Sequence, residues 1–221
     1  MKKVDLNVDI GEGFPFDEAL LEFATSANIC CGAHAGNLEL TRETIALCKA
    51  KNRRIGCHPG FPDRETMGRR IPHEIPPAWW DGLVEQVEAF HQLGKPEYLK
   101  PHGAWYNLLI QPSDVSPFKT LYRILERWPM PVMILPIAPL ATGTAILKEG
   151  FADRGYDSEG RLLSRYLPNA LLTCPQEIEA QVRKLAPMVD SISLHGDTPD
   201  CVEFAELVYR TLVDAGYEVG Y

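Results

Sequence analysis

The chain has 221 residues, of which 45% are hydrophobic, and it carries a formal net charge of −8. This composition excludes a disordered chain. The acidic balance argues against general nucleic-acid binding while leaving room for a local basic pocket that binds an anion. The length suits a single domain over residues 1–221, because a β/α barrel reaches this size without dividing.

The first residues lack the apolar core of a secretory signal, since Asp5 and Asp9 interrupt it. The longest apolar run, at 130–147, is broken by prolines and a glycine and is unsuited to a membrane span. The six cysteines form no CxxC pattern, so reduced thiols are expected. We therefore expect a cytoplasmic protein with no membrane partner and no nucleic-acid partner.

Short apolar runs alternate with amphipathic runs along the whole chain. Strands are predicted at 2–9, 27–31, 54–58, 97–101, 131–135 and 190–195, with short candidates at 149–153 and 170–173. Helices are predicted at 38–52, 77–94, 116–128, 175–186 and 199–216. Strands this apolar are buried on both faces, so the pattern predicts an α/β fold, a seven-stranded parallel β/α barrel. No GxGxxG follows the first strand, which disfavours dinucleotide binding.

Five polar residues fall at or just after the ends of predicted strands. They are Asp9, His34, His58, His102 and His195. In parallel β/α barrels the working side chains lie at the C-terminal ends of the strands, so we expect these five to form one site. The remaining histidines, His73 and His91, are predicted in a loop and on a helix surface.

Carboxylates and arginines accompany these histidines. Glu12 follows the first strand and Asp197 the last, and both are candidate catalytic residues. Arg69 and Arg70, in a loop, and Arg154, after the sixth candidate strand, are candidates for binding a carboxylate or phosphate.

The first strand places three polar side chains on one face. Asp5, Asn7 and Asp9 share the same parity, and we expect them to face the barrel interior. A buried carboxylate needs a partner, and Lys100 or a histidine is expected to supply it. Cys30 and Cys31 have opposite parity, so they should not chelate one ion together.

Two kinds of chemistry remain open for this set of residues. Asp9, His58 and His102 form a typical ligand set for a catalytic divalent metal. The same groups could equally perform acid–base catalysis without a metal. The sequence has neither HExxH nor GxSxG, which disfavours zincin and α/β-hydrolase chemistry.

Six segments resemble the motifs of the LamB/YcsF family, in that family's order. They are DLNVDIGEGF (5–14), SANICCGAHAGN (26–37), IGCHPGFPD (55–63) with GRR (68–70), KPHGAWYN (100–107), FADRGYDSEGRLLSR (151–165) and SISLHGDTP (191–199). Asn107, which ends the fourth segment, joins the substrate-binding candidates. The chain departs from the family pattern at Ala33, where a Phe is usual, and this predicts a more open wall beside His34.

The resemblance implies a distorted seven-stranded barrel of the glycoside hydrolase/deacetylase type. It also implies a hydrolase role in the ATP-dependent opening of 5-oxoproline to L-glutamate, with two partner subunits that resemble an allophanate hydrolase pair and handle ATP. The sequence has no GxxxxGK[ST] nucleotide-binding loop of its own, which agrees with ATP use through partners.

Three hypotheses follow. In the first, the chain hydrolyses a small lactam: Asp9, His58 and His102 activate water or bind a metal, and His195 or His34 protonates the leaving amine. In the second, it is a metal-dependent carbohydrate or small-amide deacetylase that acts alone. In the third, it is a non-catalytic metabolite-binding subunit. A homo-oligomer is compatible with all three.

Overall fold

The computed structural model describes residues 2–198 and 200–221, and its central feature is a closed barrel of seven parallel strands. The strands are β1 (Lys3–Ile10), β2 (Ser26–Cys30), β3 (Arg54–His58), β4 (Tyr98–Leu99), β5 (Val132–Ile134), β6 (Ile146–Phe151) and β7 (Ser191–His195). They pair in chain order, and β1 closes the barrel by pairing with both β2 and β7. The predicted seven-stranded β/α barrel is therefore confirmed.

The helices that cover the barrel correspond mostly to the predicted ones. They are α1 (Asp17–Leu20), α2 (Leu38–Ala50), α3 (Pro77–Leu93), α4 (Gly103–Ile110), α5 (Ser116–Arg127), α6 (Pro175–Leu185) and α7 (Cys201–Asp214). The expected proline start and glycine end of the helix at 77–94 are confirmed: Pro77 begins α3, and Gly94 is its C-cap. The last helix was predicted from Pro199, which lies outside the described residues.

Four elements differ from the sequence prediction. The candidate strand at 170–173 is wrong: Leu171 forms only an isolated bridge with Arg154. Three elements were not predicted: the short helix α1, the helix α4, and a short strand, β8 (Glu218–Val219), which pairs with the start of β1. Most residues of α4 are buried around the helix, so its sequence lacks the polar stripe by which an amphipathic helix is recognised.

The side chains of each strand alternate between two very different environments. The outward residues Val4, Leu6 and Val8 of β1 join the hydrophobic core between strands and helices. The inward residues are polar, and they include Asp5, Asn7 and Asp9 on β1, Ser26 and Asn28 on β2, and Ser191 and Ser193 on β7. The predicted inward face of β1 is thus observed, and the barrel interior is filled by a hydrogen-bonded polar network rather than by hydrocarbon.

The N-terminal end of the barrel interior is centred on Asp5. Its carboxylate accepts hydrogen bonds from the hydroxyls of Thr25 (2.6 Å), Ser26 (2.7 Å) and Ser191 (2.5 Å). The expectation that Lys100 or a histidine pairs with a buried carboxylate of this face is wrong for Asp5 but is confirmed for Asp9, because Lys100 binds Asp9 and Glu149. Burial raises the pKa of Asp5, and the three hydroxyls only partly oppose this.

Candidate functional site

The loop after β2 carries His34 back over the C-terminal end of the barrel. Gly32 and Gly36 adopt positive φ angles of 84° and 54° in this loop. A Cβ at Gly36 would collide with the carbonyl oxygen of Gly11, in the loop after β1. Cys30 and Cys31 diverge as predicted: Cys31 joins the hydrophobic core, whereas the Cys30 thiol donates to the carbonyl of Ala35 at 3.2 Å.

Two main-chain carbonyls fix the ring orientations of His58 and His102. Nδ1 of His58 lies 2.8 Å from the carbonyl oxygen of Lys100, and Nε2 of His102 lies 2.7 Å from that of Met67. A carbonyl only accepts hydrogen bonds, so each of these ring nitrogens carries a proton. The other two nitrogens, Nε2 of His58 and Nδ1 of His102, face each other at 2.8 Å.

This imidazole pair holds three protons when it binds no cation. Each carbonyl requires one N–H, and the contact between His58 and His102 requires a third, so the pair has one positive charge. Oδ2 of Asp9 lies 3.6 Å from Nε2 of His58 and faces this charge. Burial, followed by the neighbouring His34 and His58, lowers the pKa of His102 well below its usual value.

Lys100 balances the remaining buried charges. Its Nζ lies 2.8 Å from Oδ1 of Asp9 and 2.8 Å from Oε1 of Glu149, and all three side chains are almost fully buried. Burial raises the pKa of Asp9, but Lys100 and His58 outweigh it and hold that pKa well below the usual value. The charges of Asp9, Glu149, Lys100 and the imidazole pair therefore sum to zero.

His34 stacks on His102 and lacks a hydrogen-bond partner. Its ring is parallel to that of His102 within 2°, at 3.7 Å between centroids. Both of its ring nitrogens are buried without a hydrogen bond, as is Oε1 of Glu12, which lies 3.4 Å from Nε2 of His34. Burial lowers the pKa of His34, but Cys30 and Glu12 more than compensate and raise it to about 9.

Two glycines make room for this stack. A Cβ at Gly60 would lie 2.6 Å from Nδ1 of His34, and one at Gly68 would lie 3.0 Å from its Cβ. The glycines of the CHPG and GRR segments therefore allow the backbone to approach the two imidazoles closely. Substitution at either position would displace the rings.

The other side of the rim contains the fourth histidine of the site, His195, at the end of β7. Its Nδ1 lies 2.9 Å from Oδ2 of Asp153, and its backbone N–H donates to the same carboxylate at 3.1 Å. The ring stacks on Phe151 at 5.4 Å. Because Asp153 accepts the Nδ1 proton, Nε2 of His195 is the nitrogen left for a ligand or substrate.

Asp197, two residues beyond His195, lies between two arginines. Nη2 of Arg69 is 2.6 Å from its Oδ2, and Nη1 of Arg165 is 3.7 Å from the same oxygen. Oδ1 of Asp197 and Nη2 of Arg165 are buried and have no hydrogen-bond partner. Arg165 was not among the sequence candidates, although it closes the segment FADRGYDSEGRLLSR.

Three predicted substrate-binding residues lie in other environments. Arg154 donates to the carbonyls of Ala170 (3.0 Å) and Leu163 (2.5 Å), and so holds the loop between β6 and α6. Arg70 is exposed and lies 3.5 Å from Asp63. Asn107 is exposed on α4. Of the three predicted arginines, only Arg69 contacts a carboxylate of the site, that of Asp197.

Of the predicted metal ligands Asp9, His58 and His102, only the two histidines belong to the cluster of possible donor atoms found in the structure. Side-chain donor atoms of Glu12, His34, His58 and His102 all lie within 4.8 Å of one another. Asp9 is not in that group: Lys100 and Asn28 hold its Oδ1, and its Oδ2 lies 3.6 Å from Nε2 of His58. A cation in the ring plane of His102 lies outside the ring plane of His34, because the two rings are parallel, so both cannot coordinate it in their observed orientation.

Among the described residues, no helix combines the length and the apolar character that crossing a bilayer requires.

The LamB/YcsF family model matches residues 4–220. The 5-oxoprolinase A subunit of Neisseria meningitidis serogroup C (strain 053442) is 36% identical over 245 residues, covering 99% of each chain.

Two solved structures resemble the fold over nearly the whole chain. The lactam utilization protein from Thermus thermophilus has a TM-score of 0.87 and 27% identity, and the match covers 100% of this chain and 99% of that one. A peptidoglycan deacetylase from Bacillus subtilis has a TM-score of 0.54 and 12% identity, with coverage of 99% and 87%. The second likeness concerns the fold alone, and it agrees with the expected deacetylase type of barrel.

Proposed function

Since the chain belongs to the LamB/YcsF family, we propose that it is the A subunit of an ATP-dependent 5-oxoprolinase. In this reaction water adds to the lactam carbonyl of 5-oxoproline, the ring C–N bond breaks, and L-glutamate forms. The observation that carries the proposal is the convergence of four histidines and three carboxylates at one end of the barrel. They are His34, His58, His102, His195, Asp9, Glu12 and Asp197.

The two stacked histidines have the opposed proton affinities that acid–base chemistry needs. His102 has a lowered pKa, whereas His34, with a pKa of about 9, is protonated at neutral pH. When their environments shift the pKa values of two neighbouring groups in opposite directions, the group with the raised pKa is suited to act as the acid and the group with the lowered pKa as the base. In this proposal the reactive form of the His58–His102 pair is the one that has released its third proton to solvent, which the lowered pKa of His102 favours. Beside Asp9, this form accepts a proton from the attacking water, and His34 protonates the leaving ring nitrogen.

The proposal places ATP use in two partner subunits that resemble an allophanate hydrolase pair. An unstrained five-membered lactam resists hydrolysis, so coupling to ATP supplies the driving force. The sequence has no nucleotide-binding loop of the GxxxxGK[ST] type, which supports a division of labour in which partners activate the lactam and this chain opens it.

A divalent metal fits the imidazole pair. With one N–H of each ring held by a carbonyl, Nε2 of His58 and Nδ1 of His102 are the two nitrogens that would hold a cation in place of the shared proton. Asp9, through Oδ2, or Glu12, through its unpartnered Oε1, would complete the set. Such a metal would supply a bound water of lowered pKa.

The test is reconstitution with the two partner subunits and measurement of ATP-dependent glutamate release. We expect His58→Ala and His102→Ala each to lower the rate by about 10²- to 10⁴-fold, the usual contribution of a positioned acid or base. His73→Ala, an exposed loop histidine, is the matched control. Near-wild-type rates in both rim variants would contradict the proposal, and sugar deacetylation by the isolated chain would favour the second hypothesis.

The metal is tested separately by elemental analysis of the purified chain and by titration with Zn²⁺ and Mn²⁺. Binding lost in His58→Ala and His102→Ala supports the site, and comparison of Asp9→Asn with Glu12→Gln identifies the third ligand. Equal metal content in the wild type and the two histidine variants would overturn it.

A further inference from the structure

The cluster of Arg69, Asp197 and Arg165 contains polar atoms that make no hydrogen bond. The side chains are 21%, 9% and 23% exposed, so the cluster lies at the border between the interior and solvent. Oδ2 of Asp197 faces both guanidiniums, yet its Oδ1 and Nη2 of Arg165 have no partner. An unsatisfied buried N–H costs free energy, and this cost falls when a ligand with an acceptor oxygen arrives.

The charge of the cluster matches a monoanion. Two guanidiniums and one carboxylate sum to one positive charge. The nearby Arg154 adds little recognition capacity, because its Nε and one Nη already donate to main-chain carbonyls. A planar guanidinium binds a carboxylate through two parallel N–H bonds. One net positive charge suits a carboxylate better than a doubly charged phosphate.

The loop that presents Arg165 is held in place by other contacts. Arg154 binds the carbonyls of Leu163 and Ala170, and the N–H of Leu163 donates to the carbonyl of Gly155 at 2.9 Å. These bonds fix the backbone on both sides of Arg165. The residue is therefore positioned before a ligand binds, which limits the ordering cost of binding.

The cluster also borders both groups of histidines. His195 precedes Asp197 by two residues at the end of β7, and His195 and then Arg69 lower the pKa of Asp197 against the opposing effect of burial. Nη1 of Arg69 lies 3.4 Å from Sδ of Met67, whose carbonyl binds Nε2 of His102. An anion held by the two arginines would thus lie beside the imidazoles.

We propose that Arg69 and Arg165 form a clamp for the carboxylate of the substrate, and that Asp197 holds the two guanidiniums in place when no substrate is bound. The substrate class is a small cyclic amide that carries one carboxylate. This identification of the ring rests on the proposed function, whereas the carboxylate clamp itself does not.

The experiment measures binding to the full chain by calorimetry, with four small probes. They are 5-oxoproline, 2-pyrrolidinone (the same lactam without the carboxylate), L-proline (the ring carboxylate without the lactam carbonyl) and inorganic phosphate. We expect Arg165→Met and Arg69→Met each to weaken 5-oxoproline binding by about 10- to 100-fold, the loss of a charge-assisted pair. Binding of 2-pyrrolidinone should be unchanged. Arg165→Lys should recover part of the loss.

The control is Arg210→Met, which breaks an exposed pair with Glu206 on α7. Thermal melting of each variant establishes that it is folded. If 5-oxoproline is not the substrate but L-proline binds in an Arg165-dependent way, the clamp stands and the proposed function fails. The clamp is overturned if wild-type affinity persists in Arg165→Met, if no carboxylate probe binds the wild type, or if inorganic phosphate binds the two arginines more tightly than the carboxylates.

Discussion

The two ends of the barrel interior treat buried polar groups in opposite ways. At the N-terminal end, Asp5 accepts three hydroxyl hydrogen bonds, and both of its oxygens are used. At the C-terminal end, the described residues include buried atoms with no partner. They are Oε1 of Glu12, Nδ1 and Nε2 of His34, Nη2 of Arg165 and Oδ1 of Asp197. Oε1 of Glu149 on β6 differs from these, because its charge is paired with Lys100 at 2.8 Å.

Under the proposed function, this difference separates the part of the interior that stabilises the fold from the part that binds a ligand. Buried polar groups are normally satisfied, and exceptions need a reason. Asp5 and Asp9 lie on one strand, about 13 Å apart at the usual rise of a parallel strand. Asp5 belongs to a network whose hydrogen bonds are all made, whereas Asp9 lies beside groups whose hydrogen bonds are not all made. Each variant below should alter one end and leave the other unchanged.

The largest effect is expected at Lys100, which lies between the two regions. Lys100→Met leaves the carboxylates of Asp9 and Glu149 buried without a cation. Removing one partner of a buried pair costs about 3–5 kcal/mol, and we expect a loss of that size in the free energy of unfolding measured in urea. Arg127→Met, which breaks an exposed pair with Glu88, is the control and should cost less than about 1 kcal/mol. Equal losses in both variants would refute this role of Lys100.

The next effect contrasts Asp5 with Glu12. Asp5→Ala removes the acceptor of three hydroxyls and should lower the free energy of unfolding by about 1–3 kcal/mol, while the turnover per folded molecule stays unchanged. Glu12→Gln should lower turnover. It should also cost some stability, because it removes the charge that faces His34 at 3.4 Å, although Oε1 of Glu12 has no hydrogen bond to lose. Urea denaturation and the reconstituted assay measure both quantities. A loss of turnover in Asp5→Ala at full folding would abolish the distinction between the two ends.

The smallest effect concerns Asp17, which accepts the N–H of Gly11 at 2.9 Å. Burial raises its pKa from 3.8 to about 6, Gly11 partly opposes this, and Glu12 adds to it. The folded state thus holds this proton more tightly than the unfolded state. The resulting stabilisation is full below pH 3.8 and is lost as the pH rises through 6.

Asp17→Asn keeps an acceptor for Gly11 and removes this pH dependence. Because Asp17 is partly exposed, we expect the variant to be more stable than the wild type by only about 1 kcal/mol at pH 8, with the gain shrinking toward pH 4. Urea denaturation at several pH values measures the difference. A gain that is equal at pH 4 and pH 8 would show that the charge of Asp17 is not its source.

The sequence predicted the barrel because its strands and most helices have strong local patterns. The exceptions have physical causes. The helix α4 is buried on most sides, so "GAWYNLLI" has no polar stripe. Conversely, "ALLT" at 170–173 is apolar like a strand, but its backbone bonds serve the loop held by Arg154.

The site was predictable where strand ends determine it. The histidines converge because parallel strands end at one edge of the barrel. Arg165 was missed because it lies in a long loop, where sequence periodicity gives no position, and Glu149 was missed because its role depends on Lys100 from another strand. Arg154 was expected at the substrate because arginine suits anions, but local carbonyls occupy its guanidinium.

Met67 contacts both halves of the rim, through its carbonyl to His102 and through its sulfur to Arg69. A carboxylate that draws Arg69 toward itself therefore acts on the residue that holds the imidazole pair. Such linkage is reciprocal. A proton or metal held by His58 and His102 changes the affinity for the carboxylate by some factor, and the carboxylate changes the affinity for that proton or metal by the same factor.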